Sequence, residues 1–458
     1  MVQAAVSSLY PPWRSAREQA AKYSRRRPEE TPLYRIIYHY REQFEYSWEE
    51  LFSERYGILR DEVLRAFDRY LDCGILKHGC ALACCENERC NHSMLIAFSC
   101  KRRGVCPSCQ AKRAVLFAEN LNQNVLLPHP HRHLVFSIPK RLRIYFRFDR
   151  RLFSHLYRAS WETWSEYVEA LIPGAKPGAV MALHSAGSLL NWHPHIHSIA
   201  LDGGILPDGS FVQLPEVDTE LLQEFFAEKV FAFLLEAELI DQETVDSMNA
   251  WEHSGFNFFA GEPIGADDED ARLFLARYLK KAPLALERLS IDESRNEPVV
   301  RYTKSSDDIE SKDELMRNFS PLDFLAELSS HVPRVFEQTT RFFGVYSPRA
   351  RGAKRREERF QELLQNNFNS IESPLPSRPP SQSWARCMKL VFELDPLLCP
   401  KCGSTMKIKS FIQNTHEIDR LCKSLGLVSS RAPPEFWHRS QATDKIWLDD
   451  SQDFSQIH

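Results

Sequence analysis

A histidine-rich stretch near the middle of the chain constrains the fold more than any other feature of the sequence. Residues 191–203 read NWHPHIHSIALDG and place His193, His195 and His197 at alternate positions. Because residues two apart share one face of a β-strand, this spacing predicts a strand whose imidazoles point the same way. The turn signal at residues 202–204 predicts that the strand ends in a tight turn. Neutral imidazole is the commonest protein metal ligand, so His195 and His197 would form half of a metal site.

The composition predicts a soluble protein with several domains. The chain has 458 residues, of which 43% are hydrophobic and 26% charged, and this length exceeds one ordinary core. It contains no apolar run long enough for a membrane span, and the first residues lack the apolar core of a secretion signal. We therefore expect a cytoplasmic protein. The net charge of −4 neither indicates nor excludes a nucleic-acid partner, so local basic clusters must decide.

The cysteines predict a structural zinc site. Eight of the twelve lie between Cys73 and Cys109, a stretch that we call the cysteine-rich module. In a chain without an export signal, short Cys spacings indicate zinc rather than disulfides. Zinc takes four tetrahedral ligands, and two short-spaced pairs would supply them. The predicted ligands are Cys85, Cys90, Cys106 and Cys109, with Cys84 as an alternative to Cys85 and His92 as a substitute ligand. Cys73 and Cys100 are candidates for a second site.

A second CxxC pair, Cys399 and Cys402, lies far from this module. Cys387 and Cys422 are the candidates to complete a site there, and their spacing is poor. The sequence leaves open whether this pair belongs to a loaded zinc ribbon or to a degenerate one.

Two basic stretches are candidate DNA-contacting surfaces. Lys101, Arg102 and Arg103 lie inside the cysteine-rich module, where a zinc-stiffened loop could present them to phosphates. A solvated charged face is an equally good interpretation of these three cations. Residues 140–151 interleave cations with aromatic rings, a pattern that suits single-stranded nucleic acid.

A well-signalled helix carries a candidate nucleophile. Residues 267–283 begin with four acids and end with two lysines and a proline, as helices often do. Tyr278 lies in the last half of this helix, beside Arg277, Lys280 and Lys281. A tyrosine that attacks a phosphodiester needs a stabilised phenolate and a held phosphate, and neighbouring cations serve both needs. Taken alone, the pattern favours a half-buried packing tyrosine.

Several motifs that occur together in one order carry a resemblance to a known family. They are Cys73-Gly74, residues 97–109 (AFSCKRRGVCPSC), 133–139 (HLVFSIP), 193–197 (HPHIH), Asp202-Gly203, Arg277-Tyr278, 341–346 (RFFGVY) and 398–403 (LCPKCG). With them the chain resembles the rolling-circle transposases of the insertion sequence 91 family and the related common-region elements. Founding members of that family look like two-tyrosine enzymes with the tyrosines four apart. Here the earlier position holds Phe274, so the chain looks like a one-tyrosine version.

The resemblance implies an HUH nuclease, named after its His-hydrophobic-His motif, that nicks and rejoins single-stranded DNA through a 5′-phosphotyrosine. Tyr278 would be the nucleophile, and Arg277, Lys280 and Lys281 would bind phosphate. His195 and His197 would hold Mg²⁺ or Mn²⁺, with His193 as a possible third ligand and Asp202 as a weaker one. The implied partners are single-stranded element ends and target DNA, with a homodimer possible, in the bacterial nucleoid.

We predict an α+β fold in which an antiparallel-sheet nuclease core is flanked by helices. The predicted divisions are a leader (1–45), a zinc-binding, DNA-contacting domain (46–120), the nuclease domain (121–360), a Ser/Pro-rich linker (361–383) and a C-terminal segment with CxxC (384–458). Apolar residues at helical spacing predict one helix from residue 47 to about residue 71.

Three other functions compete with this one. A histidine-triad nucleotide hydrolase would use the same histidine stretch, but it needs neither the cysteines nor the tyrosine helix. A catalytically inactive zinc-dependent DNA-binding protein would bind DNA without cutting it. A replication initiator or relaxase shares the chemistry and differs in what the cut is for.

Overall fold

A computed structural model describes residues 27–251, 253–294, 297–304, 316–365, 398–431 and 433. The helices within these residues are α1 (Pro32–Leu51), α2 (Ser53–Tyr56), α3 (Asp61–Leu71), α4 (Pro107–Asn124), α5 (Arg143–Phe148), α6 (Phe153–Leu171), α7 (Thr219–Glu236), α8 (Gln242–Asn249), α9 (Glu269–Tyr278), α10 (Pro321–Ser330), α11 (Pro348–Gln365) and α12 (Thr415–Ser424). The strands are β1 (Cys80–Cys85), β2 (Ser93–Ala97), β3 (His131–Ser137), β4 (Gly178–Ala186), β5 (Trp192–Leu201), β6 (Gly203–Ile205), β7 (Phe211–Gln213), β8 (Asn257–Ala260), β9 (Leu289–Asp292), β10 (Val299–Thr303), β11 (Met316–Phe319), β12 (Thr340–Gly344) and β13 (Met406–Ile412).

A five-stranded antiparallel sheet forms the centre of the molecule. Its strand order is β12-β4-β5-β3-β8, so the histidine-rich strand β5 occupies the middle. The strand predicted from the histidine spacing is confirmed, and so is the α+β fold with an antiparallel core. The chain turns sharply after β5 into the β6–β7 hairpin, as the turn signal predicts.

Helices cover both faces of this sheet. On one face, α6 and α7 pack on apolar side chains of β3, β4 and β5, and this is the largest apolar cluster among the described residues. On the other face, which carries the histidines, α4 and α9 pack on Val180 and Ile199. Helix α9 begins where the Asp268 side chain accepts a hydrogen bond from the Ala271 backbone N–H, which satisfies one free donor. Leu275 and Ala276, in the C-terminal half of α9, belong to this packing, so the C-terminal end of α9 lies over the histidine face.

A second layer of helices surrounds a small sheet of order β11-β10-β9. Helices α1, α3 and α10 share a core with this sheet and with the cysteines at the start of α4. The single helix predicted over residues 47–71 is instead the end of α1, the short α2, and α3. Gly57, with φ of +76°, ends α2, and α1 already begins at Pro32, inside the stretch interpreted as a leader. Residues 1–26 of that leader lie outside the described residues.

The C-terminal segment packs against the cysteine-rich module. Strand β13 pairs with β1 and completes a three-stranded sheet of order β13-β1-β2. Much of the predicted linker, from residue 366 to residue 383, and the candidate ligand Cys387 lie outside the described part of the chain. Within the described part, no helix is both long and apolar enough to cross a membrane.

Candidate active site

Three histidines from two neighbouring strands form the centre of the site. The register of β4 and β5 places His184 directly opposite His195, so the two side chains share a face of the sheet with His197. Each of these three imidazoles has a ring nitrogen within 4.8 Å of a ring nitrogen of the other two. The three donors are therefore close enough to bind one metal ion.

The hydrogen bonds of these rings leave nitrogens free to act as ligands. The Nδ1 of His195 lies 2.7 Å from the carbonyl oxygen of His193. A carbonyl only accepts, so this Nδ1 carries the proton and Nε2 keeps its lone pair. In the same way the Nε2 of His184 donates to the Leu279 carbonyl oxygen at 3.4 Å, which leaves Nδ1.

The His197 ring gives the strongest indication of an absent ligand. Its Nδ1 lies 3.0 Å from the Nε2 of His133, while its own Nε2 is buried without a hydrogen-bond partner. An unpaired buried polar atom is costly unless something else binds it. If His197 Nδ1 donates to His133, the lone pair of Nε2 is available to a cation, and His133 orients the ligand ring as outer partners do in metal sites. The residues present therefore fit a divalent ion.

Burial keeps these imidazoles neutral. It lowers the pKa of His133 and of His195 to about 4, and the pKa of His184 and His197 also falls well below the ordinary range. Neutral imidazole is the form that binds metals, so the site is ready to bind a cation at neutral pH.

The predicted third ligands occupy other positions. The ring centroid of His193 lies 5.0 Å from that of His195, but His193 is not one of the three histidines whose nitrogens cluster. His193 lies on the far side of His195 from His197, whereas His184 lies across the strand pair. At the other end of β5, Asp202 is buried and its oxygens accept hydrogen bonds from Arg132 at 2.7 Å and Gln213 at 2.9 Å.

Changing Asp202 to Asn should destabilise the fold rather than the chemistry. The guanidinium of Arg132, which is 8% exposed, would lose its buried counter-ion. Breaking such a pair from one side costs about 3 kcal/mol or more of unfolding free energy. Urea unfolding followed by tryptophan fluorescence would measure the loss. Asp208→Asn, in the exposed turn between β6 and β7, is the matched control and should leave the unfolding midpoint unchanged. Equal unfolding midpoints for Asp202→Asn and the wild-type chain would contradict the expectation.

Tyr278 meets the histidine cluster at the end of α9. Its ring centroid lies 5.0 Å from that of His197, 5.7 Å from that of His184 and 6.0 Å from that of His133. The Nζ of Lys281 lies 5.0 Å from the centre of the tyrosine ring. The structure thus brings the predicted nucleophile, the predicted histidine pair and one predicted cation into one place.

A cavity of about 440 Å³ opens onto this cluster. Its walls include Tyr278, Lys280, Lys281 and Arg103, so it presents positive charge beside the histidines. Burial, with the nearby charges of Arg113 and Arg103, lowers the pKa of Lys280 to about 8. A cavity of this kind suits the phosphate of a nucleic acid.

The remaining predicted phosphate ligands are not brought to the cavity. Lys101 and Arg102 are exposed, and neither they nor Arg277 lie among the residues that line it. Arg277 precedes Tyr278 directly on the helix, and successive helical residues are separated by about 100° around the axis. The two side chains therefore point in different directions.

Three arginines of the basic stretch at residues 140–151 contact partners inside the protein. Arg150 forms two 2.8 Å hydrogen bonds with the partly buried carboxylate of Glu337. Arg143 donates to the Ile138 carbonyl oxygen at 3.1 Å, and Arg147 lies 3.6 Å from the Glu327 carboxylate. These three arginines have internal partners, whereas Lys140, Arg141 and Arg151 are exposed, so DNA contact by this stretch stays a prediction.

The cysteines form two clusters in the described residues, and neither has the predicted ligand set of Cys85, Cys90, Cys106 and Cys109. The structure separates Cys85 and Cys90 from Cys106 and Cys109, because the β1–β2 hairpin carries the first pair away from the start of α4. The first cluster is Cys73, Cys100, Cys106 and Cys109, and the second is Cys85, Cys90, Cys399 and Cys402. Cys84 belongs to neither, and its Sγ accepts a hydrogen bond from the Ser93 hydroxyl at 3.3 Å.

The first cluster has the geometry of a structural zinc site. The Sγ of Cys73 lies 3.7 Å from those of Cys106 and Cys109, and Cys100 lies 3.5 Å from Cys109. Tetrahedral thiolates at a Zn–S distance of about 2.3 Å are separated by about 3.8 Å. The Cys100 backbone N–H also donates to the Sγ of Cys73 at 3.4 Å, and such a bond stabilises the negative charge of a thiolate. Cys73 and Cys100, the spare candidates of the sequence, thus complete the CxxC pair.

Comparisons with known proteins find two families that match parts of this chain. The family described as "Transposase zinc-binding domain" matches residues 43–138, and the family described as "Putative transposase" matches residues 178–354. The first range contains the whole first cysteine cluster, and the second contains the three histidines and Tyr278. No solved structure matches.

Two curated relatives are transposases. The transposase for insertion sequence element IS801 of Pseudomonas savastanoi pv. phaseolicola is 27% identical over 375 residues, which cover 78% of this chain and 86% of the relative. The "Putative transposase y4qJ" of Sinorhizobium fredii (strain NBRC 101917 / NGR234) is 30% identical over 125 residues, or 27% of this chain and 31% of the relative. The chain belongs to the transposases of the insertion sequence 91 family and carries their zinc-binding domain. It is accordingly a DNA strand-transfer enzyme, and DNA is its partner.

Proposed function

We propose that this transposase cuts and rejoins single-stranded DNA through Tyr278, with a divalent cation bound by His184, His195 and His197. The observation that carries the proposal is the 5.0 Å separation of the Tyr278 and His197 rings, together with the unpaired buried Nε2 of His197. A phenol that merely packed in the core would not need three converging imidazoles and a lysine beside it.

The reaction would conserve the energy of the broken bond. The Oη of Tyr278 attacks the phosphorus, the bond from phosphorus to the 3′-oxygen breaks, and the 3′-hydroxyl leaves with a proton. The phenol proton passes to solvent, and the product is a 5′-phosphotyrosine that a second 3′-hydroxyl can reverse. When bound, a divalent ion at the histidines would polarise the scissile phosphate and neutralise part of its charge.

The residues around Tyr278 would stabilise the charges of this reaction. The ammonium of Lys281, near the ring, is placed to stabilise the phenolate as it forms. Lys280 and Arg103 line the same cavity, where Lys280 also donates to the Thr340 hydroxyl and Arg103 to the Glu337 carbonyl oxygen, and their charges would attract the phosphates of the DNA. Position 274, one turn before Tyr278, holds a phenylalanine, so a second strand cleavage would need Tyr278 again or a second copy of the chain.

The direct test is an oligonucleotide-cleavage assay. Fluorescent single-stranded oligonucleotides tiling the DNA on both sides of the coding sequence, one set for each strand, are incubated with protein and Mn²⁺. We expect a denaturant-resistant protein–DNA adduct when the label is 3′ of the cut, and a free 3′-hydroxyl fragment when it is 5′ of the cut. Cleavage without an adduct, or an adduct on the other fragment, would contradict the proposed chemistry.

The donor set predicts which metal supports the reaction best. Imidazole nitrogens suit transition metals, whereas Mg²⁺ prefers carboxylate, carbonyl and water oxygens. We therefore expect Mn²⁺ to support cleavage several-fold faster than Mg²⁺ at equal concentration, with the half-saturating concentration lower for Mn²⁺. Initial rates over a metal titration would measure both quantities. Equal half-saturating concentrations would indicate that oxygen ligands dominate the site.

A further inference from the structure

We infer that the chain binds a second structural zinc ion, held by Cys85 and Cys90 together with Cys399 and Cys402, and that this ion fastens the C-terminal segment to the cysteine-rich module. Cys85 and Cys402 are 317 positions apart in the chain. The matched zinc-binding domain ends at residue 138, so it contains the first pair but not the second. This site therefore lies partly outside the domain that the family defines.

The four sulfurs have the spacing of zinc thiolates. The Sγ of Cys85 lies 3.5 Å from that of Cys402, and the Sγ of Cys90 lies 3.7 Å from that of Cys399. All four sulfurs lie within 4.8 Å of one another. Tetrahedral zinc requires separations of about 3.8 Å, whereas a disulfide requires about 2.05 Å. A set of four thiolates with two short-spaced pairs is the ligand set of structural zinc.

The backbone on the C-terminal side has the shape of a zinc knuckle. The Gly403 N–H donates to the Cys399 carbonyl oxygen at 2.9 Å, and the Cys399 N–H donates to the Ser404 carbonyl oxygen at 2.8 Å. Gly403 has φ of +73°, a conformation that a residue with a side chain rarely adopts. This tight turn brings the two sulfurs of Cys399 and Cys402 to the same side.

Strand pairing presents the other two cysteines to this turn. The β1–β13 register places Cys85 opposite Met406, four residues after Cys402. The Glu86 N–H donates to the Thr405 carbonyl oxygen at 3.0 Å, which extends the pairing to the cluster. The Asn87 amide lies 4.0 Å from the Sγ of Cys402. The two halves of the site thus fit each other at the backbone as well as at the sulfurs.

Apart from the β1–β13 pairing, the described part of the C-terminal segment buries little apolar surface. Its described part, residues 398–431, contributes a few side chains to two small clusters shared with β1 and β2. Units of this size usually need a metal or a disulfide because they bury too little apolar surface. A metal that joins Cys90 to Cys399 also closes a very long loop, which removes considerable chain entropy from the unfolded state. Zinc at these cysteines would therefore decide whether the segment stays docked.

Metal counting on the full chain tests the inference. The zinc content is measured in a His195→Ala/His197→Ala background, so that the histidine site contributes nothing and the result is independent of the cleavage proposal. We expect two zinc ions per chain, and one after Cys402→Ser or Cys85→Ser. Cys84→Ser is the matched control, since Cys84 precedes Cys85 and lies outside both clusters, and it should keep two. One zinc per chain before mutation, or two after Cys402→Ser, would overturn the inference.

A cobalt titration keeps the test decisive if the serine variants fail to fold. The same background protein is stripped of metal and titrated with Co²⁺, whose thiolate charge-transfer absorption reports cysteine ligation. The absorption should rise until two equivalents are bound. Saturation at one equivalent would overturn the second site.

Discussion

Replacing Tyr278 with phenylalanine should abolish both the protein–DNA adduct and the cleavage of single-stranded DNA. The substitution removes one oxygen from a ring that stays packed against the imidazoles of His133, His184 and His197. Because removal of a covalent nucleophile costs about 10⁴- to 10⁶-fold in rate, the variant should fall below detection in a gel assay. DNA binding, measured by fluorescence anisotropy, should remain within a few-fold of the wild type.

Tyr302→Phe is the matched control for this experiment. Tyr302 lines the same cavity as Tyr278 but belongs to strand β10 of the small sheet. Its hydroxyl accepts a hydrogen bond from the Ala285 backbone N–H at 3.1 Å. Its loss should cost about 1 kcal/mol of unfolding free energy and leave the adduct in place. The opposite pattern, an adduct in Tyr278→Phe and none in Tyr302→Phe, would overturn the assignment. A wild-type protein that binds DNA without ever forming an adduct would favour the inactive DNA-binding alternative.

Replacing His184 with alanine should have the second largest effect. Loss of one of three imidazole ligands should lower the cleavage rate by about 10²-fold or more and raise the half-saturating Mn²⁺ concentration at least about tenfold. Binding of Mn²⁺ can be followed by electron paramagnetic resonance in the Tyr278→Phe background, where no cleavage intervenes. Weaker binding there would separate a metal-ligand role from a role in chemistry.

His193→Ala provides the comparison that decides between the two candidate third ligands. The His193 ring neighbours the His195 ring and lines the cavity, yet its nitrogens lie outside the cluster formed by His184, His195 and His197. We expect its removal to change the Mn²⁺ affinity by less than the His184 substitution does. A larger loss of affinity in His193→Ala than in His184→Ala would restore the ligand set expected from the sequence.

The parts of the site that the sequence reveals are the local ones. The period of His195 and His197 shows in a few residues of one strand, and the helix of Tyr278 has clear start and stop signals. The sequence does not reveal His184 as a site residue, because its position beside His195 depends on the register between β4 and β5, which local patterns do not determine. His184 directly follows the apolar run VMAL at residues 180–183, and this is the signal that could have suggested it.

The sequence does not reveal the grouping of the cysteines or the internal partners of the basic stretch, and the reason is related. Cys85 and Cys90 meet Cys399 and Cys402 because β13 pairs with β1 across most of the chain, and spacing between neighbouring cysteines cannot indicate that. Likewise, a basic stretch in a sequence does not show which cations already have internal partners. Arg150 is occupied by Glu337, which lies 187 positions away. Long-range pairing therefore decides the ligand sets and the free charges.

Mass spectrometry of the protein–DNA adduct tests the central claim most directly. The adduct is digested with nuclease and protease, and the peptide that retains a nucleotide is sequenced by fragmentation. We predict a 5′-phosphonucleotide on Tyr278, in a peptide that ends at or beyond Lys280. A nucleotide on any other tyrosine, or one attached through its 3′-phosphate, would contradict the account.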